Sequence, residues 1–355
     1  MTQARQDAAL ALIELFEVDA LLLLGLVNIR YLSGFKGSDG ALLILPQDRH
    51  LLCDSRYTLQ ASDEAELCTV AEYKSKSEGI TLLLKKVGCK RVAFDAEKVT
   101  VSFLNILKTA LPDVDFIPVA DELDQLRAVK SLDEIKSISA AANLSSTAFN
   151  ELLPLIKPGV SERSIALELE FIMKRSGAEE KAFDFIVASG YRGALPHARP
   201  TEKLLEAGEM VTIDFGARLD GYNSDETVTV SVGEPDKKLY DIYRIVKEAH
   251  DLAISAIRPG IECSSLDEIA RSHINNCGYG DFFGHGLGHG VGLEVHEKPV
   301  ISPRSRQRTQ VGMVFTVEPG IYIPDFGGVR IEDLVQVTEE GCIILSKASK
   351  ELNVC

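Results

Sequence analysis

The sequence predicts two domains, an α/β domain over residues 1–126 and an α+β domain over residues 127–355. Three observations predict them. Over the first third, short apolar runs alternate with helix-length segments, the pattern of a layered domain with its own core. The segment Asp121-Glu122-Leu123-Asp124-Gln125-Leu126-Arg127 is polar and reads as a connection. Beyond it the order becomes helices then strands. That order occurs twice, which suggests two similar halves around a common site, without a strong sequence repeat.

In the first domain a helix is expected over residues 3–17 and strands over 20–24, 40–46 and 51–53. A helix over 56–66, a strand over 68–72, a helix over 79–87, a strand over 91–95 and a helix over 101–111 complete it. No phosphate-binding glycine fingerprint follows any of these strands. The second domain should open with a long helix over 132–156, stopped by Pro158-Gly159, and a second over 161–176 with Ser161 as N-cap. Strands and loops fill residues 183–232. Helices over 236–257 and 264–276 should each end at a glycine.

Composition narrows the function. The 355 residues carry 53 acidic and 38 basic side chains, a formal charge of −15, with no Lys/Arg-rich run. Nucleic acid and anionic membranes are therefore not expected partners. The seven cysteines are odd in number and scattered, which argues against a disulfide framework and for a reducing, cytoplasmic setting. The N-terminus lacks a signal-peptide core, and the most apolar run, residues 20–27, is too short to span a bilayer.

Chemistry concentrates in Gly284-His285-Gly286-Leu287-Gly288-His289-Gly290-Val291-Gly292-Leu293-Glu294-Val295-His296-Glu297, which holds three of the seven histidines. The i, i+4 pair His285/His289 looks like a helical zinc motif, but Gly286 stands where a glutamate base belongs. Each glycine also costs a helix about 1 kcal/mol. A strand or extended loop passing close to something fits better. The bland alternative is a glycine-rich surface loop with incidental histidines.

Four acids bear on that choice. Asp214 ends the apolar run Val211-Thr212-Ile213, and Asp225 lies beyond the turn region that holds the Asp220-Gly221 signal, the two about equally far from the middle of that region. The two should sit opposite or diagonal on one face of a hairpin, where they repel unless a cation lies between them. Glu318 closes the strand-like Val314-Phe315-Thr316-Val317, and Glu332 precedes the apolar residues 334–337. Two aspartates, two glutamates and one histidine of the glycine-rich stretch suit two ions such as manganese, cobalt or zinc. Four carboxylates balance the charge of two divalent ions, and such ions lie roughly 3.5–4 Å apart.

On these residues the chain resembles the proline-specific branch of the pita-bread metallopeptidases, over essentially its whole length. Asn28-Ile29-Arg30-Tyr31-Leu32-Ser33-Gly34-Phe35 and Asp54-Ser55-Arg56-Tyr57 are similar to that family's creatinase-type N-terminal domain. Asp214, Asp225, His289, Glu318 and Glu332 match its five metal ligands in order and context. The resemblance implies a creatinase-type α/β domain followed by a pita-bread α+β catalytic domain. It implies two divalent ions, manganese above all, with cobalt or zinc as alternatives. His296, seven positions after His289, matches the catalytic histidine, and His197 and Glu318 are the other implied catalytic side chains. His285 and Arg330 match substrate-binding positions. Val228 and Ala198 depart from the usual pattern and bear on specificity. The implied reaction is hydrolysis of the Xaa-Pro bond of a di- or oligopeptide by a metal-bridging hydroxide. An Xaa-Pro dipeptidase is favoured, with an Xaa-Pro aminopeptidase as alternative and a non-catalytic binding protein as a remote one. A homodimer is expected, and the glycines should let the backbone pass a crowded metal centre.

Overall fold

Buried strands with apolar residues on both faces need cover on both sides. Ala20–Leu23 and Ala41–Ile44 are such strands, and both lie inside a mixed sheet. The computed structural model describes residues 3–65 and 67–355, and the chain divides into two compact units, Met1–Arg127 and Ala128–Cys355. Within the described residues, the sheet of the first unit runs in the order Thr69–Glu72, Arg49–Cys53, Ala41–Ile44, Ala20–Leu23, Arg91–Asp95, Asp115–Val119. It is antiparallel at its centre and parallel towards both edges.

Helices Gln3–Leu15, Thr58–Glu64, Lys76–Val87 and Val101–Ala110 form where apolar periodicity placed them; the expected end of the second, Glu66, lies outside the described residues. Three elements were not anticipated. Helix Leu26–Ser33 starts where the buried carboxylate of Asp95 accepts the N–H groups of Leu24 and Gly25 and ends at Gly34, φ +83°. Strand Asp115–Val119 contains a proline at its edge position, which masked it. The segment read as a polar connection contains the short helix Asp121–Gln125, and the Arg127 guanidinium is buried on Asn28 and Asp124.

The second unit builds two large cores among its described residues. In the first, helices Leu132–Leu152 and Glu162–Arg175 cover strands Ile186–Ser189, Met210–Phe215 and Glu226–Ser231, with Phe149 and Phe215 stacked at 5.1 Å. In the second, helices Lys237–Ala256 and Cys263–Asn276 cover Val314–Val317, Gly320–Ile323, Gly327–Arg330 and Asp333–Val337. The long helix starts in a Ser131/Glu134 capping box and stops at Leu152, earlier than expected, because Pro154 removes a helical N–H. Ser161 caps its helix as expected. The glycine stop holds for Cys263–Asn276, followed by Gly278 at φ +84°. It fails for Lys237–Ala256, which ends as Ile257 turns extended.

Glu162, wholly buried, ties this fold to one rim of the site. Its carboxylate accepts the N–H and hydroxyl of Ser189, the Nε of Arg192, and the N–H and hydroxyl of Thr201. It therefore fastens the base of the loop that carries His197. Removing one partner of a buried ion pair costs about 3–5 kcal/mol. Glu162→Ala should lower the urea-unfolding stability of the second unit towards that range, and a loss below about 1 kcal/mol would contradict the anchoring role.

Candidate metal centre

Alternation along two paired strands decides which side chains face the site. Strand Met210–Phe215 pairs with Glu226–Ser231, Asp214 opposite Thr227, and the Asp220-Gly221 turn joins the hairpin with positive φ at both residues. Val211, Ile213 and Phe215 point into the first core with Val228 and Val230. Thr212, Asp214, Thr227 and Thr229 point the other way. Asp225, two positions before Thr227, is thus the diagonal neighbour of Asp214. Val228 faces the core, away from the cavity, whereas Ala198 is a buried part of the cavity wall.

The threonine face meets the second half. Thr227 Oγ1 donates to Glu332 at 2.6 Å and Thr229 Oγ1 to the carbonyl of Arg330 at 2.8 Å. Strand Gly288–Gly290 pairs on one side with Glu297–Ile301 and on the other with Val314–Val317. Its glycines are required by these neighbours: a Cβ on Gly288 would lie 1.9 Å from the Thr316 carbonyl, and one on Gly290 2.1 Å from that of Lys298. The close approach expected of the stretch is real, but it is to adjacent backbone rather than to ligand side chains. Thr316 then links two site residues, since its hydroxyl accepts the His289 N–H and donates to Glu318.

Asp214, Asp225, His289, Glu318, Glu332, His197, His285, His296 and Arg330 all line one cavity of about 530 Å³. Among the described residues, Asp225, His289 and Glu332 form a group whose ligand atoms lie within 4.8 Å of one another. His289 Nε2 stands 3.6 Å from Asp225 and 3.4 Å from Glu318. Its Nδ1 faces the Gly290 carbonyl at 3.2 Å, so the proton belongs there and Nε2 is left as a donor lone pair. Asp214 joins through Arg330, which holds its Oδ2 at 2.7 Å, while Oδ1 is buried without a hydrogen-bond partner. His296 packs its ring 4.2 Å from that of His289. His197 is exposed at the rim.

Charge is the unresolved problem of this cavity. Burial, with Glu332, Asp214 and Glu318 adding to it, pushes the Asp225 carboxyl well above its ordinary range. Burial and the charges of Glu318 and Asp214 do the same to Glu332. Glu318 is pushed up to about 8, chiefly by burial, with Arg330 opposing. Burial holds His289 down to about 4, and His296 below its usual value. Divalent cations answer both sets of shifts. They would neutralise crowded carboxylates, take a neutral imidazole and satisfy the orphaned Asp214 oxygen.

Tyr322 was not anticipated. Its hydroxyl accepts from Arg330 Nη1 at 3.0 Å and donates to His285 Nε2 at 2.9 Å, while His285 Nδ1 donates to the Gly286 carbonyl. Arg330 also donates to Thr227 and to the Pro196 carbonyl. This guanidinium is buried and engaged by the protein. No local pattern marks Tyr322, Thr316, Thr227 or Thr229, which look like ordinary strand residues.

The shifts set a pH dependence. A buried acid at about 8 holds its proton where the unfolded chain has lost it, so stability falls as pH rises from the ordinary 4.5 through 8. The histidines at about 4 act oppositely, but only up to their ordinary 6.5. The chelated protein should therefore be less stable at about pH 8.5 than at about pH 6.5 in thermal unfolding. Added Mn²⁺ should remove that loss. Rising stability over the interval in chelator would contradict the buried-acid set.

Residues 136–339 match the model of metallopeptidase family M24, and residues 5–129 that of the creatinase/prolidase N-terminal domain. The chain is 39% identical over 335 residues to an Xaa-Pro dipeptidase of Pyrococcus horikoshii, with 94% of each chain covered. It is similar to the structure of an Xaa-Pro dipeptidase from Bacillus anthracis, with a TM-score of 0.97, 40% identity and 99% of both chains covered. An X-Pro aminopeptidase structure from Thermotoga maritima is similar too, with a TM-score of 0.91, 39% identity and 99% of both chains covered. The family implies divalent metal ions, and among the described residues no helix is long and apolar enough to cross a membrane. With a creatinase-type α/β domain ahead of a pita-bread catalytic domain, the chain belongs to metallopeptidase family M24.

Proposed function

We propose that the protein is a dinuclear-metal exopeptidase that hydrolyses the Xaa-Pro peptide bond, acting as an Xaa-Pro dipeptidase. One observation carries this reading: four carboxylates and a neutral imidazole converge in one cavity where the acids cannot all ionise unaided. Asp214, Asp225, His289, Glu318 and Glu332 would together hold two divalent ions. Manganese suits this oxygen-rich set, and cobalt or zinc are accepted by the same donors. Bound there, the ions supply activation of water near neutral pH and polarisation of the scissile carbonyl.

The chain's own groups do the rest. Glu318, held by Thr316, takes the proton of the attacking water and passes it to the departing proline nitrogen. His296, kept neutral by burial, donates to the developing oxyanion. Both ring nitrogens of His285 are engaged, so it offers its ring to the apolar proline side chain. Arg330 supports the substrate pocket by holding Asp214 and Tyr322, and exposed His197 approaches the substrate from the rim.

The dipeptidase relatives at 39% and 40% identity support this specificity. The aminopeptidase at 39% supports a second reading, in which longer peptides are cut at the same bond. The proposal includes a homodimer in the cytoplasm, a setting compatible with seven free cysteines.

Three measurements test it. EDTA should abolish hydrolysis of an Xaa-Pro dipeptide and Mn²⁺ or Co²⁺ restore it; full activity in demonstrably metal-free protein would sink the scheme. Comparable rates on the same peptide extended beyond proline would replace the dipeptidase by the aminopeptidase. His296→Ala should lower kcat by about 10²–10³-fold, the cost of losing one oxyanion donor.

A further inference from the structure

Two of the candidate metal ligands are each followed in sequence by a second acid that turns its back on the site. Adjacent strand residues face opposite sides. Asp225 lines the cavity and Glu226 points behind it; Glu332 lines the cavity and Asp333 points behind it. Both rear acids reach the same buried cation. Lys350 Nζ lies 2.5 Å from Glu226 Oε1 and 3.4 Å from Asp333 Oδ1, and the three side chains are 7%, 1% and 5% exposed.

The rest of the rear pocket is built to hold that arrangement. Glu226 also accepts from the Ser146 hydroxyl at 2.6 Å and from the Ala348 N–H at 3.1 Å. Asp333 accepts from the Ser346 hydroxyl and faces His250 Nε2 at 3.2 Å. The Lys350 carbonyl takes the Tyr243 hydroxyl at 2.8 Å. Beyond it, Asn353 and Cys355 bond to both sides of Ser231, at the far end of the strand that begins at Glu226. The final segment is thus stitched to the two elements whose first residues follow Asp225 and Glu332.

We propose that Lys350 is a positioning residue for the metal centre: by clamping Glu226 and Asp333 from behind, it fixes the separation of Asp225 and Glu332, and so couples docking of the C-terminal segment to metal binding. This rests on the metal reading of the site. The geometry favours it over simple core stabilisation. Asp225 and Glu332 come from different halves of the unit, and a single ammonium joins the residues next to both. Binding free energies are reciprocal, so a clamp that helps metal bind is tightened by bound metal.

The test measures Mn²⁺ affinity by calorimetry in the wild type, in Lys350→Met, and in the double variant Glu226→Gln/Lys350→Met, which leaves Glu226 no orphaned charge. Both variants should bind Mn²⁺ about 10–100-fold more weakly, the effect typical of losing a group that orients a ligand. The double variant should do so while its metal-free circular dichroism matches the wild type. A folded double variant with wild-type affinity overturns the clamp and leaves a structural lysine. Hydrogen exchange on the unaltered protein decides the matter even if the variants fail to fold. Mn²⁺ should slow exchange of amides in residues 346–353, and unchanged exchange there overturns the proposal. A wild type that binds no divalent ion overturns the metal reading and the clamp together; weakened binding confined to the variants supports both.

Discussion

Four carboxylates in one largely buried cavity repel one another, and the second unit is shaped by what keeps them there. An isolated ionised carboxylate taken out of water is unfavourable by several kcal/mol even after relaxation. The fold brings four together from two separate cores, at Asp214 and Asp225 on one side and Glu318 and Glu332 on the other. Among the described residues, Asp214 is the one of them in direct ion pair with an arginine, Arg330. The threonines at 227, 229 and 316 supply hydroxyls that bind and aim these groups without adding charge. A cation held there would relieve this repulsion and tie folding energy to cofactor occupancy.

The two halves divide the work. The first presents its polar sheet face, with threonines alternating against valines that fill the core behind. The second carries the histidine strand between two neighbours so close that only glycine fits at 288 and 290. Such packing leaves His289 little freedom to move. Asp214 and His289 sit within strands, and Asp225, Glu318 and Glu332 each sit one residue beyond a strand end, so short tethers to the sheets hold the candidate ligands. His197 is the contrast: its loop is fastened at the base by Glu162, yet the ring itself stands exposed.

What could be seen from the sequence follows from what breaks a local rule. Asp214 at the end of an apolar strand, or His289 among alternating glycines, is anomalous in its own neighbourhood, so it declared itself. Thr316, Thr227 and Tyr322 obey every local preference, and their roles arise only when distant segments meet. The same division holds for the fold. Strand Arg91–Asp95 and helix Lys76–Val87 carry clear patterns. Helix Leu26–Ser33 depends on Asp95, some seventy positions away, and its start has no local mark. Pro154, which ends the long helix, is a weaker local stop signal than the Pro158-Gly159 pair that follows it.

The tautomer bonds of His285 and His289 have one more consequence. Each ring donates through Nδ1 to the carbonyl of the glycine that follows it, Gly286 in one case and Gly290 in the other. The dipeptide His-Gly is thus a small reusable device that presents Nε2 outward in a defined state. It appears twice, four residues apart, with the same internal wiring. Opposite the first copy stands a phenol, and opposite the second stand carboxylates. The difference between the two rings is therefore not written in the device itself. It is assigned by the company each copy keeps, so exchanging what stands opposite one ring is the shortest route to changing its occupation.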